Sequence, residues 1–315
     1  MRTLVTGGAG FIGSNVVDAL VARGDEVVVI DDLSTGRESN LAGARAKGAE
    51  LVQADIRDAD RITQIVGDAA PEAIFHLAAQ IDVRKSVAEP AADARINVEG
   101  TVNMLEAARR ANVARFVNTS TGGAIYGDVD VIPSPESTPP APMAAYGTSK
   151  FCAEQYCSLY ARLHGLSALT LRYGNVYGPR QDPLGEAGVI AIFCGKLMDG
   201  GLPTVYGDGR QTRDYVFVGD VVAANLAAAD RRDVGGAINI GTGRETSVLD
   251  LVAILQQEGG RDDFEPELAP PRLGEIERSC LDVTRARDEL GWEAKTSLSD
   301  GMRATLDAAR VELAG

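Results

Sequence analysis

The stretch Thr6-Gly7-Gly8-Ala9-Gly10-Phe11-Ile12-Gly13 decides the fold. It satisfies two glycine spacings at once: Gly8, Gly10 and Gly13 give G-x-G-x-x-G, while Gly7, Gly10 and Gly13 give G-x-x-G-x-x-G. It follows a strand-like run, Thr3 to Thr6, and opens a segment with apolar residues at helical spacing (Val16, Val17, Leu20, Val21) that closes at Gly24. In a strand–turn–helix of this kind, glycine permits the tight turn and lets the backbone approach a pyrophosphate. The free N–H groups and positive dipole end of the helix then hold the phosphates. Asp31 ends the next strand, at the spacing of roughly 20 residues where a carboxylate hydrogen-bonds an adenosine ribose 2′-hydroxyl; Asp32 is an equal candidate. A carboxylate there repels a 2′-phosphate, so NAD is expected rather than NADP.

Working outward, short apolar runs alternate with helical periodicity. The strand-like runs are Glu26 to Ile30, Glu50 to Gln53, Ala73 to Leu77, Arg115 to Thr119 and Ala168 to Arg172. Strands alternating with helices imply right-handed βαβ crossovers and a parallel sheet covered on both faces. The fold class is therefore expected to be α/β, a Rossmann doubly wound parallel sheet with a smaller, partly interleaved C-terminal substrate lobe. After about Tyr173 the rhythm changes through Gly178, Pro179, Pro183 and Gly185. Helices are expected near Gly188 to Met198, Val248 to Gln256, Thr284 to Leu290 and Leu298 to Glu312, and a short strand around Thr204 to Tyr206. The run Ala237 to Ile240 reads as a return to the main sheet. The expected division is a dinucleotide-binding domain over 1–173 with return segments near 214–241, and a mainly substrate-binding lobe over 174–315. The Pro-rich piece from Pro133 to Pro142 reads as a surface loop.

Composition narrows the function classes. At 315 residues, with 45% hydrophobic and 24% charged residues, the chain has an ordinary globular balance. A net charge of -14 argues against nucleic acid or an anionic membrane as partner, because no basic excess exists to neutralise phosphates. Cys152, Cys157, Cys194 and Cys280 form no C-x-x-C pair, and His76 and His164 are the only imidazoles, so no metal is expected. Scattered thiols suit a reducing compartment. The chain enters a strand at once, at Arg2, and no apolar run approaches the ~20 residues of a membrane span, so a cytoplasmic location is expected.

Tyr146-Gly147-Thr148-Ser149-Lys150 places a phenol and an ammonium one turn apart on the same face if the segment is helical. Tyrosine is a poor base at its reference pKa of about 10, but a neighbouring cation favours the phenolate. Tyr146 is thus a candidate to take a hydroxyl proton while hydride leaves the same carbon, with Lys150 also free to hydrogen-bond the nicotinamide ribose.

These two motifs, in a chain of this length, resemble the extended short-chain dehydrogenase/reductase superfamily. Further matches point to its branch of nucleotide-sugar 4-epimerases of the UDP-glucose 4-epimerase type. They are Asp31-Asp32-Leu33-Ser34-Thr35-Gly36, Asp55-Ile56, His76-Leu77-Ala78-Ala79, Asn97, Tyr173-Gly174-Asn175-Val176-Tyr177-Gly178-Pro179-Arg180, Gly207-Asp208-Gly209, Arg213-Asp214-Tyr215-Val216 and Pro271-Arg272-Leu273-Gly274-Glu275. The similarity spans nearly the whole chain. It implies that Gly7, Gly10, Phe11, Ile12 and Gly13 meet the cofactor phosphates, and that Asp31, Asp32, Ser34, Thr35 and Gly36 meet its adenosine ribose side. Asp55 and Ile56 would flank the adenine. Leu77, Ala78, Ala79, Asn97, Thr119, Tyr146, Lys150 and Tyr173 would line the rest of the cofactor. Asn175, Arg213 and Arg272 are implied contacts to the UDP moiety, with Glu275 on the uridine ribose; arginine suits a diphosphate because its planar fork donates two parallel hydrogen bonds.

Two departures from the family pattern matter. The family's catalytic hydroxyl sits four residues before the tyrosine of a "VYG"-like tripeptide, and in Ser120-Thr121-Gly122-Gly123-Ala124-Ile125-Tyr126-Gly127 that position is Gly122. Thr121, one residue earlier, is expected to take over the hydrogen bond to the sugar oxygen, with Ser120 the second choice. Superfamily 4,6-dehydratases carry an Asp-Glu pair after the catalytic threonine; Gly122-Gly123 stands there, and glycine exchanges no proton.

The resemblance therefore implies an enzyme: NAD-dependent 4-epimerisation of a UDP-hexose, first of all UDP-glucose/UDP-galactose, by transient oxidation at C4. The catalytic residues would be Tyr146, Lys150 and Thr121, and the substrate contacts Thr121, Tyr146, Asn175, Arg213, Arg272 and Glu275. The alternatives are UDP-N-acetylglucosamine or UDP-glucuronate as substrate, or a nucleotide-sugar oxidoreductase. A small residue, Ser279, matches the family position whose bulk limits the pocket, leaving room for an N-acetyl group. A homodimer built from helices of the first domain is also implied.

Overall fold

The computed structural model describes residues 1–183, 188–271 and 276–314. Six strands open the chain: β1 (Arg2–Thr6), β2 (Glu26–Asp31), β3 (Glu50–Gln53), β4 (Ala73–His76), β5 (Arg115–Thr121) and β6 (Ala168–Tyr173). Next come β7 (Asn175–Tyr177), β8 (Thr204–Tyr206), β9 (Thr212–Arg213), β10 (Tyr215–Phe217), β11 (Gly236–Ile240), β12 (Thr246–Ser247) and β13 (Glu267–Ala269). Seven of them form one sheet in the order β11-β6-β5-β4-β1-β2-β3, and every pairing in it is parallel. The order reverses between β1 and β4, the switch point of a doubly wound sheet, where a crevice opens beyond the C-terminal ends of the strands.

Alternation along each strand sorts the core into two layers. Val5, Val29, Phe75 and Val117 face one side and pack on Val16, Val17 and Leu20 of the helix Phe11–Ala22 and on Val221, Ala224 and Ala228 of the helix Val218–Asp230. Their neighbours Leu4, Ile30, Ile74 and Phe116 face the other side. There they meet Ile62 and Val66 of Ala59–Ala69, Met104 and Leu105 of Gly100–Arg110, and Cys157 of Ala145–His164. Each fully buried aliphatic side chain of this kind stabilises the fold by about 1.5–3 kcal/mol. The two-sided burial explains why these strands read as continuous apolar runs.

A separate core lies beyond β6. Ile190, Phe193 and Leu197 of Val189–Met198 pack on Leu251 and Leu255 of Val248–Gly259 and on Met302 and Leu306 of Leu298–Ala314. Small two-stranded sheets, β10 with β7, β12 with β9 and β13 with β8, frame it. The chain crosses to the main sheet for Val218–Ile240 and again for Ala286–Trp292, whose Ala286, Leu290 and Trp292 join the first core. Pro133 follows a cis peptide bond, and Ser134 bridges to Leu281. Among the described residues no helix is long and apolar enough to cross a membrane, and no group of three or more His, Cys, Asp or Glu is placed to hold a metal ion.

Candidate active site

A cavity of about 980 Å³ opens along the C-terminal ends of β1, β2, β4, β5 and β6. That is the volume of a pocket for a ligand of drug size or larger. The glycine turn forms one wall. Gly7 has φ +67, and a Cβ on it would lie 2.7 Å from the Ala78 nitrogen; a Cβ on Gly13 would collide with the Gly7 carbonyl. Glycine at these two positions is what lets strand, turn and helix close on one another. The helix Phe11–Ala22 begins without a side-chain cap at Gly10, so its first N–H groups are left for a ligand, and Phe11, Ile12 and Gly13 line the cavity. The cradle fits the diphosphate of a dinucleotide.

At the end of β2, Asp31 is only 6% exposed and still borders the cavity. Its carboxylate accepts the Ala9 N–H and the Leu33 N–H, both at 2.9 Å. Burial pushes its pKa up, against those two hydrogen bonds. Asp32 is exposed and accepts the Ser34 N–H at 2.9 Å and the Ser34 hydroxyl at 2.6 Å. Both carboxylates line the cavity with Ser34, Thr35 and Gly36, so spacing and structure alike leave two acceptors at the ribose end. Asp55 and Ile56 border the same end; the Arg57 guanidinium beside Asp55 holds that carboxylate below its usual pKa.

The reaction end is formed where β4, β5 and β6 meet the helix Ala145–His164. Leu77, Ala78, Ala79, Thr119, Ser120, Thr121, Tyr146, Lys150 and Tyr173 all line the cavity there. The Thr121 hydroxyl acts on the Tyr146 phenol in the direction that favours its ionised form. Thr121 also caps the short helix Gly122–Ile125 by accepting the Ala124 N–H at 3.2 Å. Ser120 is buried, and its hydroxyl has no hydrogen-bond partner among the described residues. Lys150 is 4% exposed, and burial lowers its pKa to about 8 although Glu154, Cys157 and Asp93 favour the charge. Burial and the nearby Asp93 raise the Tyr146 phenol to about 12, with the Thr121 hydroxyl opposing. The neighbouring Lys150 cation, expected to favour the phenolate, is outweighed here. Within the protein's own charges desolvation wins, and a further positive charge in the cavity is required to favour ionisation.

Neighbouring polar groups hold this constellation in place. His76 lies behind it, with Nδ1 2.8 Å from the Thr6 hydroxyl and Nε2 3.0 Å from the Thr101 hydroxyl. Burial, aided by the Lys150 charge, takes its pKa down to about 3, so His76 is a neutral spacer rather than an acid or base. Asn97 sits in a π-helical widening, Arg95–Glu99, and does not line the cavity. Its amide accepts the Gln80 N–H at 2.8 Å and donates to Gln80 O, Asp93 Oδ1 and Ser149 Oγ. Ser149 donates in turn to the Tyr146 carbonyl at 3.0 Å. The structure thus gives Asn97 the work of joining the loop after β4 to the Tyr146 helix. One turn on from Lys150, Glu154 is held bidentately by the buried Arg172, which also donates to the Tyr126 hydroxyl at 2.8 Å.

The far end of the cavity belongs to Asn175 and its surroundings. Asn175 lines it on β7, and a Cβ on Gly123 would lie 3.2 Å from its Oδ1. Gly122 packs against Leu281. Asp214 is fully buried and accepts hydrogen bonds from the Thr242 N–H and hydroxyl and from the Gly243 and Leu281 N–H groups. Its own carbonyl accepts the Asn175 N–H at 2.7 Å. Arg213 donates to the Thr212 carbonyl at 2.8 Å. Arg272 and Glu275 lie outside the described residues.

Several lining residues escaped sequence reading: Arg37, Gln80, Ile81, Lys85, Gln181 and Asp182. Most follow a quoted motif by one to three residues. Their signal is position, since loops leaving the C-terminal ends of parallel strands surround the crevice.

The family model described as the NAD dependent epimerase/dehydratase family matches residues 3–241. UDP-glucose 4-epimerase of Mycolicibacterium smegmatis is 49% identical over 308 residues, covering 98% of each chain. Among solved structures, a UDP-glucose 4-epimerase of Thermotoga maritima with UDP-glucose superposes with a TM-score of 0.94 at 46% identity, over 99% of this chain and 100% of that one. A UDP-glucose 4-epimerase of Thermus thermophilus in complex with NAD gives 0.90 at 42% identity, over 98% and 99%.

Proposed function

The chain belongs to the NAD dependent epimerase/dehydratase family, and on that footing we propose that it interconverts UDP-sugars epimeric at C4, in the first place UDP-glucose and UDP-galactose. The observation that carries this reading is the gathering of Tyr146, Thr121 and the buried Lys150 on one cavity wall, followed by Gly122 and Gly123. Proton transfer at the 4-hydroxyl has its groups. Dehydration needs a further acid and base after the threonine, and two glycines offer neither.

NAD supplies, when bound, the reversible two-electron oxidation of the sugar carbon. Tyr146 accepts the 4-hydroxyl proton and later returns it, and Thr121 holds the sugar oxygen in hydrogen-bond reach of that phenol. Lys150 orients the nicotinamide ribose and supports the phenolate once positive charge builds up in the cavity. Asn175 is assigned to the nucleotide diphosphate side, together with Arg213, Arg272 and Glu275. On this reading the lobe over 174–315 anchors the UDP moiety while the domain over 1–173, with its return segments near 214–241, keeps NAD. The relative from Mycolicibacterium smegmatis, matched over 98% of each chain, supports the substrate class.

One feature favours a second substrate. Ser279, with its N–H on the Thr212 carbonyl at 3.1 Å, is small at the position where the resemblance puts the residue whose bulk limits the pocket, and a side chain of that size would leave room for an N-acetyl group. Assaying the purified protein side by side with UDP-galactose, UDP-N-acetylglucosamine and UDP-glucuronate tests both. Turnover of UDP-galactose is expected, and turnover of the N-acetyl sugar alone would replace the first reading. A steady change in nicotinamide absorbance would indicate net oxidation or reduction and defeat the epimerase reading. A cytoplasmic homodimer belongs to the same proposal, with sedimentation equilibrium as its test of assembly.

A further inference from the structure

Three residues after β7, the chain crosses the mouth of the cofactor groove. On one side, the helix Phe11–Ala22 presents Asn15 and Asp18, three residues apart on one face. Asn15 donates to the Pro179 carbonyl at 3.3 Å, and the Arg180 guanidinium Nη2 meets Asp18 Oδ2 at 2.5 Å. On the other side, Asp182 Oδ2 lies 2.5 Å from Nη2 of Arg37, which follows the ribose-side residues Ser34 to Gly36. Pro179–Asp182 therefore bridges the two walls between which a dinucleotide lies, and Arg180, Gln181 and Asp182 line the cavity.

Arg180 carries two further peculiarities. Its backbone is left-handed, with φ +72, a conformation that side chains other than glycine rarely adopt and that gathers at ligand clamps. Its Nη1 is buried and has no hydrogen-bond partner among the described residues. A buried guanidinium donor without an acceptor is unfavourable, so the arrangement is complete only when something supplies an oxygen. The helix that anchors it through Asp18, Phe11–Ala22, is the one whose N-terminus cradles phosphate oxygens, and charge-assisted N–H to phosphate bonds are the strongest such a donor can make.

We propose that Arg180, anchored on Asp18 through one nitrogen, uses the other to hold the diphosphate of NAD, making Pro179–Asp182 a strap that retains the cofactor. The surface pair Arg37–Asp182 closes the strap without making it permanent, because exposed ion pairs are weak.

The test compares full-length wild type, Arg180→Gly and Arg180→Lys. NAD bound per chain is measured after gel filtration, and NAD release is followed directly as free nucleotide. Glycine accepts φ +72 without strain, so Arg180→Gly is expected to keep or raise the thermal midpoint of the NAD-free protein. It is expected to release NAD about tenfold faster or more, the loss of one charged hydrogen bond. Arg180→Lys keeps the charge but not the fork, and should release NAD faster than wild type; it carries the test alone if the glycine variant is recovered unfolded. Wild-type release rates in both variants would overturn the proposal. So would a lowered NAD-free midpoint with unchanged release, which would make Arg180 only a partner for Asp18.

Discussion

Leu281 occupies the space that a side chain at Gly122 would need: a Cβ there would lie 2.5 Å from Leu281 Cδ1. Leu281 is buried with Ile125 and Tyr126 and is joined through its N–H to Asp214 at 3.2 Å. The glycine that departs from the family pattern is thus matched by a leucine that fills its place. Overpacking such a contact costs about 1–3 kcal/mol, so Gly122→Ala is expected to lower stability in denaturant titrations by that amount. Leu281→Ala alone is expected to cost about 2–5 kcal/mol. The double variant should cost less than the sum, because the two sites share one volume.

Tyr146→Phe removes the group assigned to the sugar proton and leaves the ring that fills its place. Loss of such an acid/base group typically slows the chemical step by about 10²–10⁴-fold. That drop is expected in the interconversion of UDP-sugars, with NAD content unchanged. Near-normal turnover in this variant would remove Tyr146 from the mechanism.

Lys150 sets activity against stability. Its folded pKa of about 8 lies below the reference value of 10.5, so between those two the unfolded chain binds more protons and stability rises with pH. Below about pH 8 the folded protein bears the whole cost of a buried ammonium, on the order of 3 kcal/mol from a shift of this size. Lys150→Met is therefore expected to raise the thermal midpoint of the NAD-free protein at pH 7, with the advantage gone above about pH 10.5. Interconversion should be lost in the same variant.

Asp31→Asn tests the choice of cofactor. The amide keeps one acceptor for the Ala9 or Leu33 N–H and removes the charge. NAD affinity, measured by calorimetry, is expected to fall by about 10–100-fold, the worth of a charged hydrogen bond. Discrimination against NADP should shrink, since the carboxylate no longer opposes a 2′-phosphate. Unchanged preference would shift the role to Asp32.

Legibility in the sequence follows the range of the interactions. The glycine turn and the Tyr146–Lys150 pair are local, one fixed by a tight turn and the other by one helical turn, and both line one cavity. The sheet is legible too, because strands such as Ile74-Phe75 are apolar on both faces. Tyr146 ionisation is not legible: the neighbour four residues away is visible, whereas desolvation and Asp93, 53 positions upstream (146 − 93), emerge only when the chain folds. Asn97 is another case, since its partners Gln80, Asp93 and Ser149 come from three separate segments.

Asp214 joins parts of the chain that could otherwise move as separate bodies. One residue links the start of β7, the turn after β11 and the segment at Leu281, with five hydrogen bonds, one of them from the Cys280 thiol, converging on a carboxylate sealed from water. A joint of that kind resists bending, since opening it would strand a charge in the interior. The chamber is then a rigid mould at this seam. On the proposed epimerase reading, what rotates during a turnover is then the guest rather than the walls, and new guest preferences should be sought in residues at the rim instead of changes in how the two halves meet.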